Sequence, residues 1–177
     1  AYTAEHEQFV FGAGFARELS APSINYGIAP YVEVGGTFLQ RTNARNRAIG
    51  NAKITLIPQN FGNFEVGVGV IDAVDAVNQT VYVVGSMDLT PPNWDPTGRT
   101  GNPIAFKAHL GAGTGLFQDR LFGGAEMLFP NQISLLGEYD SENFNVGLRY
   151  VHDDRFRLQL GLHDKGLIFG ASTLFRF

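Results

Sequence analysis

The stretch Phe144–Phe177, FNVGLRYVHDDRFRLQLGLHDKGLIFGASTLFRF, decides the fold. Its residues alternate in character with a period of two, and a strand sends successive side chains to opposite faces, so the alternation becomes two chemically different surfaces. In the first run Phe144, Val146, Leu148 and Tyr150 share one face, with Asn145, Gly147, Arg149 and Val151 on the other. In the second, Phe156, Leu158, Leu160 and Leu162 oppose Arg157, Gln159, Gly161 and His163. In the third, Leu167, Phe169, Ala171, Thr173, Phe175 and Phe177 oppose Ile168, Gly170, Ser172, Leu174 and Arg176. The short polar connections DDR and HDKG join the three runs as antiparallel hairpins.

Followed toward the N-terminus, the same rhythm predicts twelve strands, at 7–17, 23–29, 31–40, 47–58, 63–73, 78–89, 103–115, 119–129, 132–140, 143–152, 155–163 and 166–177. The connections APS, RTNARN, PQNFG, AVN, PNQ and DSEN carry the Pro, Gly, Asn or Asp that tight turns need. Only Thr90–Asn102, with three prolines and Trp94, is long, which points to a loop with structure of its own. No helix-length amphipathic segment and no interdomain linker interrupts the pattern, so residues 1–177 read as one meander domain. Counting strands from a periplasmic N-terminus puts Thr90–Asn102 on the periplasmic side, against the usual rule that long loops face outward.

Composition narrows the class. The chain has 177 residues and 22 glycines, and its 17% charged residues fall well below the ~25% of ordinary soluble domains. A net charge of −4 offers no basic field for phosphates, so nucleic acid is excluded as a partner. The absence of cysteine removes disulfides, thiolate metal sites and thiol nucleophiles. No run reaches the ~18–20 apolar residues of a spanning helix, and Ala1–Gln8 lacks the basic start and apolar core of a signal peptide.

Alternation alone does not say which face is inside, because soluble and membrane barrels are inside-out versions of each other. Volume does. Twelve strands with about four large apolar side chains apiece exceed what a barrel interior holds at protein packing density. The apolar face therefore points outward or into a sandwich. A sandwich would expose a glycine-rich set that makes a poor soluble surface, whereas inward glycines suit a closed sheet that curves sharply, so the glycine-and-charge face is read as lining a lumen. Strands of this length, tilted near 45°, cross a ~30 Å hydrocarbon layer. The expected fold is all-β: a closed antiparallel up-and-down transmembrane β-barrel of about twelve strands, surrounded by membrane lipid.

The last strand resembles those of bacterial outer-membrane proteins, which end in an aromatic residue read by the outer-membrane assembly machinery. By that resemblance Phe169, Ala171, Thr173, Phe175 and Phe177 form the assembly signal. A wider resemblance is carried by NFEVGVGVID (63–72), LFGGAEMLFPNQISLLGEYDSENFNVGLRYVHDDRFRLQLGLHD (121–164) and IFGASTLFRF (168–177). These phrases are similar to the YjbH-type family of short-looped outer-membrane barrels, in which GGxEYxLxPxLSLLAEYDGxxFNxGLRY recurs; Met127 stands where that pattern often has tyrosine. The resemblance implies a bacterial outer-membrane location and an association with exopolysaccharide export, with other envelope proteins or a polar saccharide as partners.

The charged residues assigned to the lumen are Glu33, Lys53, Glu65, Lys107, His109, Glu126, Glu138, Arg149, Arg157 and Arg176. Facing one another in a low-dielectric enclosure, they either pair to fill a narrow barrel or orient a permeating polar solute such as a saccharide. The number of strands leaves both open, since eight are normally filled and sixteen leave a channel. The function expected is a narrow passive pore or a structural component of the cell envelope. The alternative is an outer-membrane lipid hydrolase or acyltransferase, for which Ser172 beside His163 on the neighbouring strand supplies a pair; no catalytic residue is assigned. HDKG puts His163 and Asp164 on opposite faces and no third ligand joins them, so neither a metal nor a cofactor is expected. Asp72 and Asp75 read as caps of a hairpin loop. Tyr2, Tyr26, Tyr31, Tyr139, Tyr150, Phe129, Phe156, Phe175 and Phe177 fall toward strand ends, where rings favour a membrane interface. Trp94 either packs its loop down or stacks on a sugar.

Overall fold

In the computed structural model, which describes residues 6–58, 63–153, 155–163 and 166–176, each alternating run is a strand. They are β1 (Gln8–Ala16), β2 (Leu19–Ala29), β3 (Val32–Arg41), β4 (Arg47–Ile57), β5 (Phe64–Ile71), β6 (Thr80–Asp88), β7 (Ala105–Gly113), β8 (Arg120–Leu128), β9 (Ile133–Tyr139), β10 (Phe144–His152), β11 (Phe156–His163) and β12 (Gly166–Arg176). Each pairs antiparallel with its neighbours in the chain, and β1 pairs with β12, closing an up-and-down barrel. Closure removes the row of unpaired N–H and C=O groups that an open edge would expose to lipid.

Burial is inverted relative to a water-soluble fold. Among the described residues only Val84, Ala105 and Leu136 are buried apolar side chains, while Gln8, Lys53, Thr55, Asp72, Thr80, Ser134 and Ser141 are buried polar ones. Large apolar side chains along the strands are instead exposed, such as Leu110 at 63% and Leu148 at 51%. A continuous apolar exterior of this kind is a lipid-facing surface. A nine-residue strand such as β10 rises about 23 Å at ~3.4 Å per residue and ~40° tilt, close to the ~25 Å apolar band of a transmembrane barrel.

One boundary differs from the sequence reading. APS, expected as the turn before a short second strand, lies inside β2, and the turn is Arg17–Glu18. Pro22 has no N–H to give, which is why it reads as a breaker. The barrel accommodates it opposite Ala13 by a gap in the other ladder: β2 pairs with β3 at Leu19↔Arg41 and Ser20↔Gln40, then resumes in the same register at Ser23↔Thr37.

Twelve strands put residues 8 and 176 at one end of the barrel, here the proximal end, and the loop between β6 and β7 opens there too. The conflict with the long-loop rule therefore does not come from a miscounted strand. Asp95 organises that loop. Its carboxylate accepts the N–H groups of Thr97, Arg99 and Thr100 at 2.8, 3.0 and 2.7 Å and the hydroxyls of Thr97 and Thr100 at 2.7 and 2.9 Å. Those bonds, the Thr97 hydroxyl foremost, hold the Asp95 carboxyl far below the usual carboxylate range. At the opposite, distal end Asp72 does the same for the loop between β5 and β6, accepting the N–H groups of Ala76, Val77 and Asn78 at 2.9, 2.5 and 2.9 Å, and Asp75 caps Gln79 at 3.0 Å.

Candidate functional site

Strand alternation carries all ten charged residues assigned to the lumen onto the inward face. Glu33 lies opposite Lys53, Glu65 opposite Ser86, and Lys107 between Asp88 and Glu126. His109 lies between Ser86 and Gly124, Glu138 between Gly124 and Asn145, and Arg149 between Ser134 and Gln159. Arg157 lies between Val151 and Ser172, and Arg176 opposite Gln8 at the proximal rim.

Four of these residues form two close ion pairs. Lys53 Nζ is 3.8 Å from Glu65 Oε1, and Arg149 Nη1 donates to both Glu126 oxygens at 3.1 and 3.2 Å. Around β3–β10 acids and bases thus interleave, apart from the successive acids Glu65 and Asp88 and Glu126 and Glu138: Glu33, Lys53, Glu65, Asp88, Lys107, Glu126, Glu138, Arg149. Interleaving lets charges removed from water be compensated by neighbours on adjacent strands. Asp88 belongs to this wall and was missed in the sequence, although the period of two through β6 would have found it.

Inward glycines were expected where a closed sheet curves; the structure adds a packing reason. A Cβ on Gly69 would come 2.5 Å from Tyr82 Cζ, one on Gly113 would come 2.6 Å from Phe117 Cδ2, and one on Gly111 would strike Phe122. The rings lie over the neighbouring strand's glycines and touch one another, Phe117 stacking on Phe122 at 4.0 Å with Tyr82 edge-on to both. This inward aromatic cluster fills one side of the distal lumen. Sequence reasoning put large apolar rings outside and so did not find it.

On the opposite side, successive strands β10, β11, β12 and β1 turn Gly147, Gly161, Gly170 and Gly14 inward. They bound a cavity of about 260 Å³ together with Leu136, Glu138, Asn145, Gln159, His163 and Ile168. Nothing lies within 4 Å of a Cβ built on Gly14, so this wall opens onto space. At the cavity's distal edge His163 Nδ1 sits 2.8 Å from Asn145 Oδ1 and 3.3 Å from Asp140 Oδ2, while Asn145 Nδ2 donates to Asp140 Oδ2 at 3.0 Å. Burial pushes the Asp140 carboxyl up, but the N–H of Asn143, the Asn145 amide, the N–H of Glu142 and His163 together hold it below the usual carboxylate range.

The pair considered for lipid chemistry is not assembled. His163 lies opposite Gly166, whereas Ser172 lies opposite Arg157 and Gly12, six residues along β12 and roughly 20 Å away. Among the described residues no three His, Asp or Glu side chains converge as metal ligands; Asp164 lies outside the described residues.

Of the residues assigned to the assembly signal, Phe169, Ala171, Thr173 and Phe175 face outward on β12, opposite Phe15, Ala13, Phe11 and Phe9 of β1. Phe177 and Tyr2 lie outside the described residues. Rings staple the closing seam, with Phe15 and Phe169 stacked at 6.3 Å and Phe11 edge-on to Phe175 at 5.8 Å. Trp94 remains 39% exposed in its loop.

No protein-family model and no curated protein matches the sequence. Among solved structures the chain is similar to the KdgM porin, with a TM-score of 0.61 at 13% identity over 96% of this chain and 99% of that one. It is also similar to a KdgM porin in complex with disordered oligogalacturonate, with a TM-score of 0.59 at 12% identity over the same shares of the two chains. At this identity the likeness is one of fold: the chain has the porin-like architecture of a closed twelve-stranded barrel.

Proposed function

We propose that the protein is a bacterial outer-membrane barrel acting as a narrow pore for polar, saccharide-sized solutes. The observation that carries the reading is the division of the lumen into a charge-interleaved wall and a glycine wall, with about 260 Å³ of space against the latter. A barrel serving only as a plug or scaffold has no need to turn a glycine inward on each of four adjacent strands beside open space. The porin architecture supports the same reading, as does the neighbour's complex with a saccharide. Membership of the YjbH-type family and a place in exopolysaccharide export are part of the proposal; they rest on the sequence phrases quoted above. So does recognition of β12 by the assembly machinery.

Planar-bilayer recording tests the pore. The full chain folded in detergent should insert with stepwise conductance, and neutralising Arg149 and Arg157 to Gln should change both the step size and the anion-to-cation ratio, because fixed charges at a constriction set the local ion concentration. Silent bilayers from correctly folded protein would overturn the pore and favour a structural role in the envelope.

A further inference from the structure

The glycine-walled cavity carries a specific complement of polar groups. Asn145 Nδ2 donates to Asp140 Oδ2, and His163 Nδ1 lies 2.8 Å from Asn145 Oδ1, so these three side chains hold one another at the cavity's distal edge. Glu138 lines the cavity and makes no ion pair among the described residues, in contrast to Glu65 and Glu126. Gln159 accepts only a long bond, 3.5 Å from Arg149 Nη2, which leaves its amide N–H groups to a ligand; Arg149 itself is engaged by Glu126. The Glu138 carboxylate thus offers acceptors on one side of the cavity and the Gln159 amide a donor on another. Leu136 and Ile168 add an apolar patch, and the glycine backbone supplies a smooth floor.

We propose that this cavity is a binding subsite for one ring of a neutral saccharide, and that it disfavours uronic acids. The inference rests on the pore reading and deepens it by naming the solute class. A sugar ring presents several hydroxyls around a flat body with apolar C–H faces, which matches the Glu138 carboxylate and the Gln159 amide around a floor of glycine backbone flanked by Leu136 and Ile168. The volume, just under the ~300 Å³ at which small-ligand pockets begin, suits a single ring of a chain threading the lumen. A uronate carboxylate placed here would meet Glu138 as a like charge, while the Arg149 guanidinium is engaged by Glu126.

The test uses the full chain folded in detergent, with maltotriose and a galacturonate trimer as probes followed by saturation-transfer NMR and calorimetric titration. Maltotriose should bind at least tenfold more tightly than the galacturonate trimer. Glu138→Gln should narrow that ratio at least threefold, and Gly14→Phe, which fills the cavity, should weaken maltotriose at least fivefold. If Gly14→Phe does not fold, Gln159→Ala replaces it, with the same expected direction. Equal or tighter binding of the galacturonate trimer by the unsubstituted protein overturns the proposal, and so does maltotriose binding insensitive to all three substitutions. Conductance in bilayers separates the two levels: steps without maltotriose binding remove the subsite and leave the pore, whereas maltotriose binding with silent bilayers supports the subsite and removes the pore.

Discussion

At the scale of single residues, a lumen differs from a protein core in that an unmatched charge there has few partners to fall back on. Arg149 and Glu126 are each mostly shielded from solvent, with 18% and 16% of their side-chain surface exposed. Replacing Arg149 by Gln leaves Glu126 desolvated without its cation and should lower stability by about 2 kcal/mol, below the ~3–5 kcal/mol of a fully buried pair because water reaches both groups. Urea unfolding of the protein in lipid vesicles measures it, and adding Glu126→Gln should recover part of the loss, since a neutral pair costs less to desolvate. A second residue-scale expectation concerns Gly69. An alanine there presses on the Tyr82 ring and should cost about 1–3 kcal/mol by overpacking; in the presence of Tyr82→Ala the same change should cost little. The charged lumen residues were legible from the sequence because the period of two assigns a face without any knowledge of contacts. Tyr82 and Phe122 share their faces with Asp88 and Glu126 by the same period, but their size argued for the outside, and only the register that sets a glycine against each ring explains how they fit within.

At the scale of elements, the seam and the proximal loop answer to different physics. Between β1 and β12 the rings of Phe15 and Phe169 face lipid, where burial against a neighbour gains little over burial in hydrocarbon, so what remains is ring–ring packing of about 1 kcal/mol. Phe15→Ala and Phe169→Ala should each weaken closure, and the double variant should show a coupling of about 0.5–1.5 kcal/mol in the vesicle unfolding midpoint. The loop holding Trp94 depends on the charge of Asp95. Its folded-state pKa is depressed, so its contribution is fully present above the model-peptide value of 3.8 and is lost as pH falls below it. Fluorescence of Trp94, the sole tryptophan, should hold steady from pH 8 down to about 4 and change only in more acidic solution. Asp95→Asn should remove that acid transition and expose Arg99 to trypsin at neutral pH; an unchanged acid transition in the variant would show that another group governs the loop. The length and proline content of this loop were readable in advance, but its carboxylate-centred hydrogen bonding was not. Strand extent was misjudged at Pro22 for a comparable reason: whether a missing N–H matters depends on which neighbour it would have faced. The same dependence on register separates Ser172 from His163, two residues that sequence spacing alone allowed to meet.

At the scale of the whole molecule, everything follows from an apolar outside and a polar inside, and two adjacent residues of β11 separate that orientation from its inverse. Leu160 points outward beside Phe169 and Leu148, whereas Gly161 points inward between Gly147 and Ile168. An arginine at Leu160 must sit in hydrocarbon near mid-strand, which in transmembrane barrels costs about 2–4 kcal/mol at the bilayer midplane and less toward the interfaces. An arginine at Gly161 enters the cavity, where a Cβ meets nothing closer than 3.4 Å and where Glu138 also lines the wall. Leu160→Arg should therefore depress the urea midpoint of the vesicle-folded protein by at least 2 kcal/mol, while Gly161→Arg stays within about 1 kcal/mol of the parent and lowers conductance instead. The reverse ranking, with the arginine at 160 tolerated and that at 161 disruptive, would mean that the apolar face is the interior. The volume argument already opposes that outcome: among the described residues only three apolar side chains are buried, and the outward Phe, Leu, Val and Ile rows are too bulky to share the bore with the rings of Tyr82, Phe117 and Phe122.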